Sequence, residues 1–174
     1  MGSVADALAR RRVALGFAFG ALVLWLAEPT QRTLAAGVPL AAAGEALRIW
    51  AAGHLNKSRE VTSSGPYRWF AHPLYIGSSI MGAGLAIAAG SVIVAILVAV
   101  YLATTLTAAI RSEEAFLRRT FGDRYAEYRR GAAEKPASPE RRFAVSQAIA
   151  NGEHRAVAGL LIAVVLLAMK VLQR

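Results

Sequence analysis

Three groups of residues in this chain have types and spacings that could do chemistry. The first is the run Gly65-Pro66-Tyr67-Arg68-Trp69-Phe70-Ala71-His72-Pro73-Leu74-Tyr75-Ile76-Gly77. Its turn delivers aromatics and an arginine, and His72-Pro73 then opens a helix. Proline is favourable there because its missing N–H would be unpaired anyway. The free N–H groups and positive dipole end of such a start suit a carboxylate or ring nitrogen of a ligand. The same residues would also serve as an aromatic belt anchoring a membrane helix, with His72 as its cap. Composition alone leans toward that plainer role.

Arg111-Ser112-Glu113-Glu114 forms the second group. Two acids at the end of a helix can bind a ligand ammonium or orient a ribose. They equally stabilise the first turn of a new helix, by roughly 0.3–1 kcal/mol each. Glu45 and Arg48 form the third. Spaced i, i+3 on one helix, they can meet, either as a structural pair or as a substrate contact.

Other chemistries find no residues. The chain has no Cys and only three histidines, His54, His72 and His154. Metal sites usually need three or four ligands at short spacings, and none is visible, so no metal is expected. Gly82-Ala83-Gly84 starts like a dinucleotide loop, but the third glycine and a preceding strand are missing. No Ser-His-Asp arrangement can be argued.

The elements that must hold these groups are apolar. Over 174 residues and 18.4 kDa, 56% are hydrophobic and 18% charged, and mean hydropathy is +0.42. Soluble domains run nearer 45–50% apolar and about 25% charged. The excess belongs in a bilayer and excludes a disordered chain. Five apolar runs appear: Val13 to Ala27, Leu34 to Ala52, Leu74 to Ala89, Val92 to Ile110 and Ala156 to Leu172. A bilayer core needs about 20 such residues, so the first and third are short. The expectation is an all-α polytopic membrane protein of five transmembrane helices, with a cytoplasmic amphipathic helix and loop.

Formal charge is +9 and the pI is near 10.8. Most of the Lys and Arg residues precede the first run or lie between the second and third and between the fourth and fifth. The other side has Arg32, Lys170 and Arg174. A cytoplasmic N-terminus and an outside C-terminus follow. The basic excess then reads as a topology signal and a contact with lipid headgroups, which disfavours nucleic acid as a partner. The Ala- and Arg-rich composition suggests a bacterial inner membrane. On the cytoplasmic side, Gly53 to Pro73 is polar, with a turn at Ser63-Ser64-Gly65-Pro66. Ser112 to Arg130 patterns as an amphipathic helix with Phe116, Leu117, Phe121, Tyr125 and Tyr128 on or beside one face. Gly131 to Pro139 reads as a loop. On the third run, Ser78 and Gly82 fit small-xxx-small packing.

These pieces together resemble one family. Gly53-His54-Leu55-x-Lys57, Val61-Thr62-x-x-Gly65-Pro66-Tyr67-Arg68 and His72-Pro73-Leu74-Tyr75-Ile76-Gly77 are similar to segments of the isoprenylcysteine carboxyl methyltransferase and phospholipid methyltransferase superfamily. Arg111-x-Glu113-Glu114-x-x-Leu117 and Phe121-Gly122-x-x-Tyr125-x-x-Tyr128 follow in that family's order and spacing. The match covers about Gly44 to Tyr128, within a single integral membrane domain over residues 1–174. The resemblance implies a membrane enzyme using S-adenosyl-L-methionine, with the cofactor pocket on the cytoplasmic side. It implies that His54, Tyr67, His72, Pro73, Tyr75 and Glu113 line that pocket, Glu114 more weakly, with backbone contacts from Val61 and Thr62. Arg111 and Arg68 would meet a substrate carboxylate. Ala71 stands where the family has Arg before His-Pro, and Gly131 to Pro139 replaces its Val-Pro-Arg-type segment.

The implied reaction is O-methylation of a carboxylate on a lipid-tailed or prenylated acceptor entering sideways from the bilayer. A carboxylate is ionised at neutral pH and needs no base, whereas an amine must first lose a proton, with His72 or a nearby Glu as the base. Ala71 favours the alternative, phospholipid (ethanolamine) N-methylation. A non-catalytic scaffold of the same fold is a further alternative.

Overall fold

A computed structural model describes residues 16–56, 62–123, 125–126 and 142–173. The described residues are helical, without strands. The elements are α1 (Gly16–Leu26), α2 (Gln31–His54), a 3-10 turn (Gly65–Arg68), α3 (Pro73–Ala89), α4 (Val92–Phe121), α5 (Val145–Ala150) and α6 (Glu153–Leu172). The N-terminal Arg10 to Arg12 and the expected loop Gly131 to Pro139 lie outside the described residues.

Helix starts follow local chemistry. The Thr33 N–H donates to Thr30 Oγ1 at 3.1 Å, and the Thr30 N–H donates to Thr33 Oγ1 at 2.8 Å, a reciprocal capping box opening α2. Pro73 begins α3, and Gly90 closes it in the left-handed region at φ 66°, where glycine has no Cβ penalty.

The closest packing joins antiparallel α2 and α3. A Cβ on Gly37 would strike the backbone of Gly84 and Ala88, and one on Gly44 would strike Gly77 and Met81. One on Gly84 would strike Ala41, and one on Gly77 would meet Gly44 and the Arg48 stem. Small residues thus bring two backbones together along the whole length of α3. The seam uses Gly77 and Gly84. Of the pair expected from spacing, Gly82 instead faces Leu102 of α4, and Ser78 bonds to Arg48.

One end of the bundle is tied by backbone bonds. Glu28 N–H donates to the Ala89 carbonyl at 2.7 Å, and Thr33 Oγ1 donates to that of Ala88 at 3.2 Å. Lys170 Nζ, from the far end of α6, donates to the carbonyls of Leu24 and Trp25 at 2.8 Å each, capping α1. At the other end Asn151 Nδ2 donates to Ala52 and Leu55 carbonyls at 2.8 and 2.9 Å. These bonds satisfy acceptors that the end of α2 would otherwise leave open.

Among the described helices, α4 and α6 are long and apolar enough to cross a membrane; α1 and α3 are shorter apolar helices. The five spans expected from apolar runs are therefore not all met by length and composition. Helix α3 has 17 residues, and α2 carries Arg32, Glu45 and Arg48. The side chains of Ile96, Val100, Leu161 and Val165 are more than half exposed, as expected of faces whose solvent is lipid rather than water. Of the amphipathic stretch expected over Ser112 to Arg130, the part up to Phe121 is the end of α4 and not a separate helix. Helix α4 runs unbroken to Phe121 and stops at Gly122, where φ is 48°. Residues 123, 125 and 126 beyond Gly122 are again helical.

Gly84→Ala is expected to cost roughly 1–3 kcal/mol by overpacking and to lower the melting temperature in detergent. Gly159→Ala on α6, where nothing lies within 4 Å of the added methyl, should leave it unchanged or raise it.

Candidate functional site

The polar turn before α3 is held from within. Thr62 is buried, and its Oγ1 accepts from the Asn56 N–H at 3.3 Å. Pro66 and Tyr67 are buried in the 3-10 turn. The Pro66 carbonyl accepts from Trp69 and Phe70 N–H groups at 3.2 and 3.1 Å. The chain therefore reaches His72 by a fixed route.

His72 is the N-cap residue of α3, but its side chain makes no capping bond. The imidazole turns to α4, where Nδ1 lies 3.6 Å from Glu113 Oε2 and Nε2 lies 3.3 Å from Glu114 Oε1. Both ring nitrogens thus face carboxylates. The Glu113 carboxylate, chiefly, holds the His72 pKa above the ordinary 6.5; burial opposes this, and Glu114 adds to it. Tyr75 stands one helical turn on, its ring 5.7 Å from the imidazole. Arg118 approaches Glu114 at 3.9 Å from an exposed position, a contact of little energetic weight.

From this polar end a groove of about 720 Å³ runs between α3 and α4. His72 and Tyr75 mark one end, Ile87 and Ala95 the other, and the walls between are mostly Ala, Ile, Leu and Val. Ser79 and Thr107 are its other polar side chains. An imidazole between two acids at the mouth of a long apolar groove suits a molecule with a cationic or protonatable head and a lipid tail.

A second pocket, of about 430 Å³, shares no residue with the groove and is lined by Trp50, His54, Ser64, Gly65, Arg68, Trp69 and Arg142. The sequence-predicted residues therefore divide. His72 and Tyr75 line the groove, Glu113 and Glu114 face the His72 imidazole, and Pro73 is buried at the start of α3. His54 and Arg68 line the second pocket, while Tyr67 is buried and Thr62 braces the turn. Arg111 is exposed and lines neither cavity. Val61 lies outside the described residues.

Glu45 and Arg48 do meet, at 3.3 Å. Arg48 also donates through Nη2 to both carboxylate oxygens of Glu153 at 3.0 Å, and through Nη1 to Ser78. This network bolts α2, α3 and α6 together beside the site. Sequence reasoning missed Glu153 and Ser78 as its members. The available signal was a lone acid at the head of the last apolar run, with nothing to say which basic residue it would find.

Comparison with known families gives this helical, membrane-associated chain its class. Residues 33–124, which span α2, the turn, α3 and α4, match the phospholipid methyltransferase family. The chain belongs to that family, within the isoprenylcysteine and phospholipid methyltransferase superfamily. It is 36% identical over 87 residues to the nickel-cobalt-cadmium resistance protein NccN of Alcaligenes xylosoxydans xylosoxydans, covering 49% of this chain and 39% of that one. It is 35% identical over 96 residues to the cobalt-zinc-cadmium resistance protein CzcN of Cupriavidus metallidurans, covering 54% of this chain and 43% of that one. The match thus spans about two fifths of these relatives' length. No solved structure matches.

The raised His72 pKa has a defined sign. A protonated imidazole stabilised by the fold contributes in full below about 6.5 and is lost as pH rises through the raised value. The His72 ring resonances should accordingly titrate above 6.5 by NMR in detergent micelles. Glu113→Gln should move that midpoint down, since Glu113 is the largest cause of the shift.

Proposed function

We propose that the chain transfers a methyl group from S-adenosylmethionine to the headgroup amine of a phospholipid whose acyl tail lies in the α3–α4 groove. The observation that carries this reading is the juxtaposition of His72 with Glu113 and Glu114 at the groove's polar end. Membership of the phospholipid methyltransferase family supports it.

The donor set suits the cofactor. Two carboxylates facing one imidazole make an electronegative niche for a cation, and the Tyr75 ring beside it adds an aromatic face. His72, Pro73, Tyr75, Glu113 and, more weakly, Glu114 would hold it. S-adenosylmethionine, when bound, supplies a sulfonium-activated methyl whose carbon–sulfur bond breaks as the bond to the acceptor forms. The chain's own residues then position, exclude water and manage one proton. An ethanolamine headgroup arrives as an ammonium. Glu113 or Glu114 attracts it and accepts its proton, which frees the nitrogen lone pair to attack. His72 holds the two carboxylates in register. The groove walls keep water from the reacting atoms, and orientation supplies most of the acceleration.

Carboxylate O-methylation of an isoprenylcysteine-type or prenylated acceptor is the second reading. It rests on the superfamily resemblance, with Arg68 and Arg111 as counter-charges. The amine reading is favoured because Glu113 and Glu114 face His72, which lines the groove, whereas neither arginine lines it. We further propose the five-span arrangement with a cytoplasmic N-terminus in a bacterial inner membrane. It rests on the basic bias of the connecting segments and on the grouping of His72, Glu113 and Glu153 at one end of the bundle.

The test reconstitutes the full chain in nanodiscs with labelled S-adenosylmethionine. Label should enter phosphatidylethanolamine, and Glu113→Gln should reduce transfer by roughly tenfold or more, as for loss of a charge-assisted contact. Transfer to a prenylated cysteine analogue alone would install the carboxylate reading. Absence of cofactor binding would leave a non-catalytic scaffold.

A further inference from the structure

The apolar groove has a length, a width and a closed end. Between His72 and Ile87, which mark its ends on α3, the helix advances about 22 Å at roughly 1.5 Å per residue. Only Gly90 and Ser91 join α3 to α4 beyond it, so the chain itself shuts the far end. Spread over that length, a volume of about 720 Å³ leaves a cross-section of roughly 33 Å². Hydrocarbon chains in van der Waals contact stand roughly 4–4.5 Å apart, on the order of 20 Å² each, so one chain fits and two do not. Alanines make the hollow: Ala83 and Ala86 line it from α3, and Ala95, Ala99 and Ala103 from α4. Leu102 forms part of the wall and packs against Gly82, where an added Cβ would strike it. At the polar end the His72 imidazole faces Glu113 and Glu114, which complement a cationic head.

We infer that the groove holds one extended acyl tail of the amine-headed lipid and measures its length, resting on the methyl-transfer reading above for the head alone. A fully extended chain advances about 1.2 Å per bond, so about 18 carbons span the groove. The tail exchanges bilayer hydrocarbon for protein walls, so its gain is close packing rather than transfer from water. Each carbon inside the groove adds wall contacts, whereas one beyond the Gly90-Ser91 turn adds none. The second tail of a two-chain lipid then stays in the bilayer. Ala99 and Ala103 are exposed along the groove, and their small side chains keep its middle open. They are the residues that determine tail length.

The test places the full chain in phosphatidylcholine nanodiscs doped with an equimolar series of lysophosphatidylethanolamines. Their single chains run from roughly 10 to 24 carbons, bracketing the extended length of the groove. Native mass spectrometry reads each retained lipid against its share in the disc. Enrichment should climb with tail length and stop climbing near the 18-carbon limit of about one groove length. Ala99→Phe and Ala103→Phe, at exposed positions that leave the core intact, should each shorten this cutoff. Ala103 lies one helical turn nearer the polar end, so its variant should cut off about 5 carbons earlier than the Ala99 variant. Leu161→Phe, on a face of α6 that is 60% exposed, should move nothing. Glu113→Gln should weaken retention of the whole series and leave the cutoff in place. Enrichment independent of tail length, or one cutoff shared by wild type and both groove variants, would overturn the inference. Label from S-adenosylmethionine is followed in the same discs. A cutoff without label keeps the tail groove and removes the methyl-transfer reading, whereas label without a cutoff does the reverse.

Discussion

The α2–α3 seam is the contact on which the rest of the structure depends. Gly37, Ala41, Gly44, Gly77, Gly84 and Ala88 let two antiparallel backbones touch where any larger side chain would hold them apart. At such close approach, shape complementarity and dispersion between the two backbones hold the pair together. That contact fixes the level at which α3 begins, and hence the position of His72 relative to the end of α2. It also leaves the opposite face of α3 free to form the groove with α4.

A second constraint sits at the polar end of the seam. Arg48 is shared between Glu45, Glu153 and Ser78, three groups on three helices. Buried charges rarely add net stability, and removing one partner is costly because the others stay buried. Their service here is register: the network admits one rotation of α6 against the α2–α3 pair. Lys170 performs the same task at the other end by capping α1. Helix α6 is therefore held at both ends, although its middle faces outward.

The two cavities divide the polar end by charge. Glu113 and Glu114 face the imidazole that lines the groove, whereas Arg68 and Arg142 are among the residues lining the second pocket.

Much of this was legible in the sequence, for physical reasons. Apolar runs, turn residues and His72-Pro73 specify where helices start and stop, because those preferences are local. The motif order pointed to the family, and Glu113 and Glu114 were evident as candidates from residue type alone. The sequence could not say that Glu153 would find Arg48, that Gly82 would turn to α4 while Gly77 and Gly84 turned to α2, or that His54 and His72 would line different cavities. Those outcomes depend on the rotation of each helix about its own axis. That rotation is settled by packing between segments far apart in the chain, to which no local periodicity refers. Residue chemistry was thus written in the sequence, and the company each residue keeps was decided only by tertiary contact.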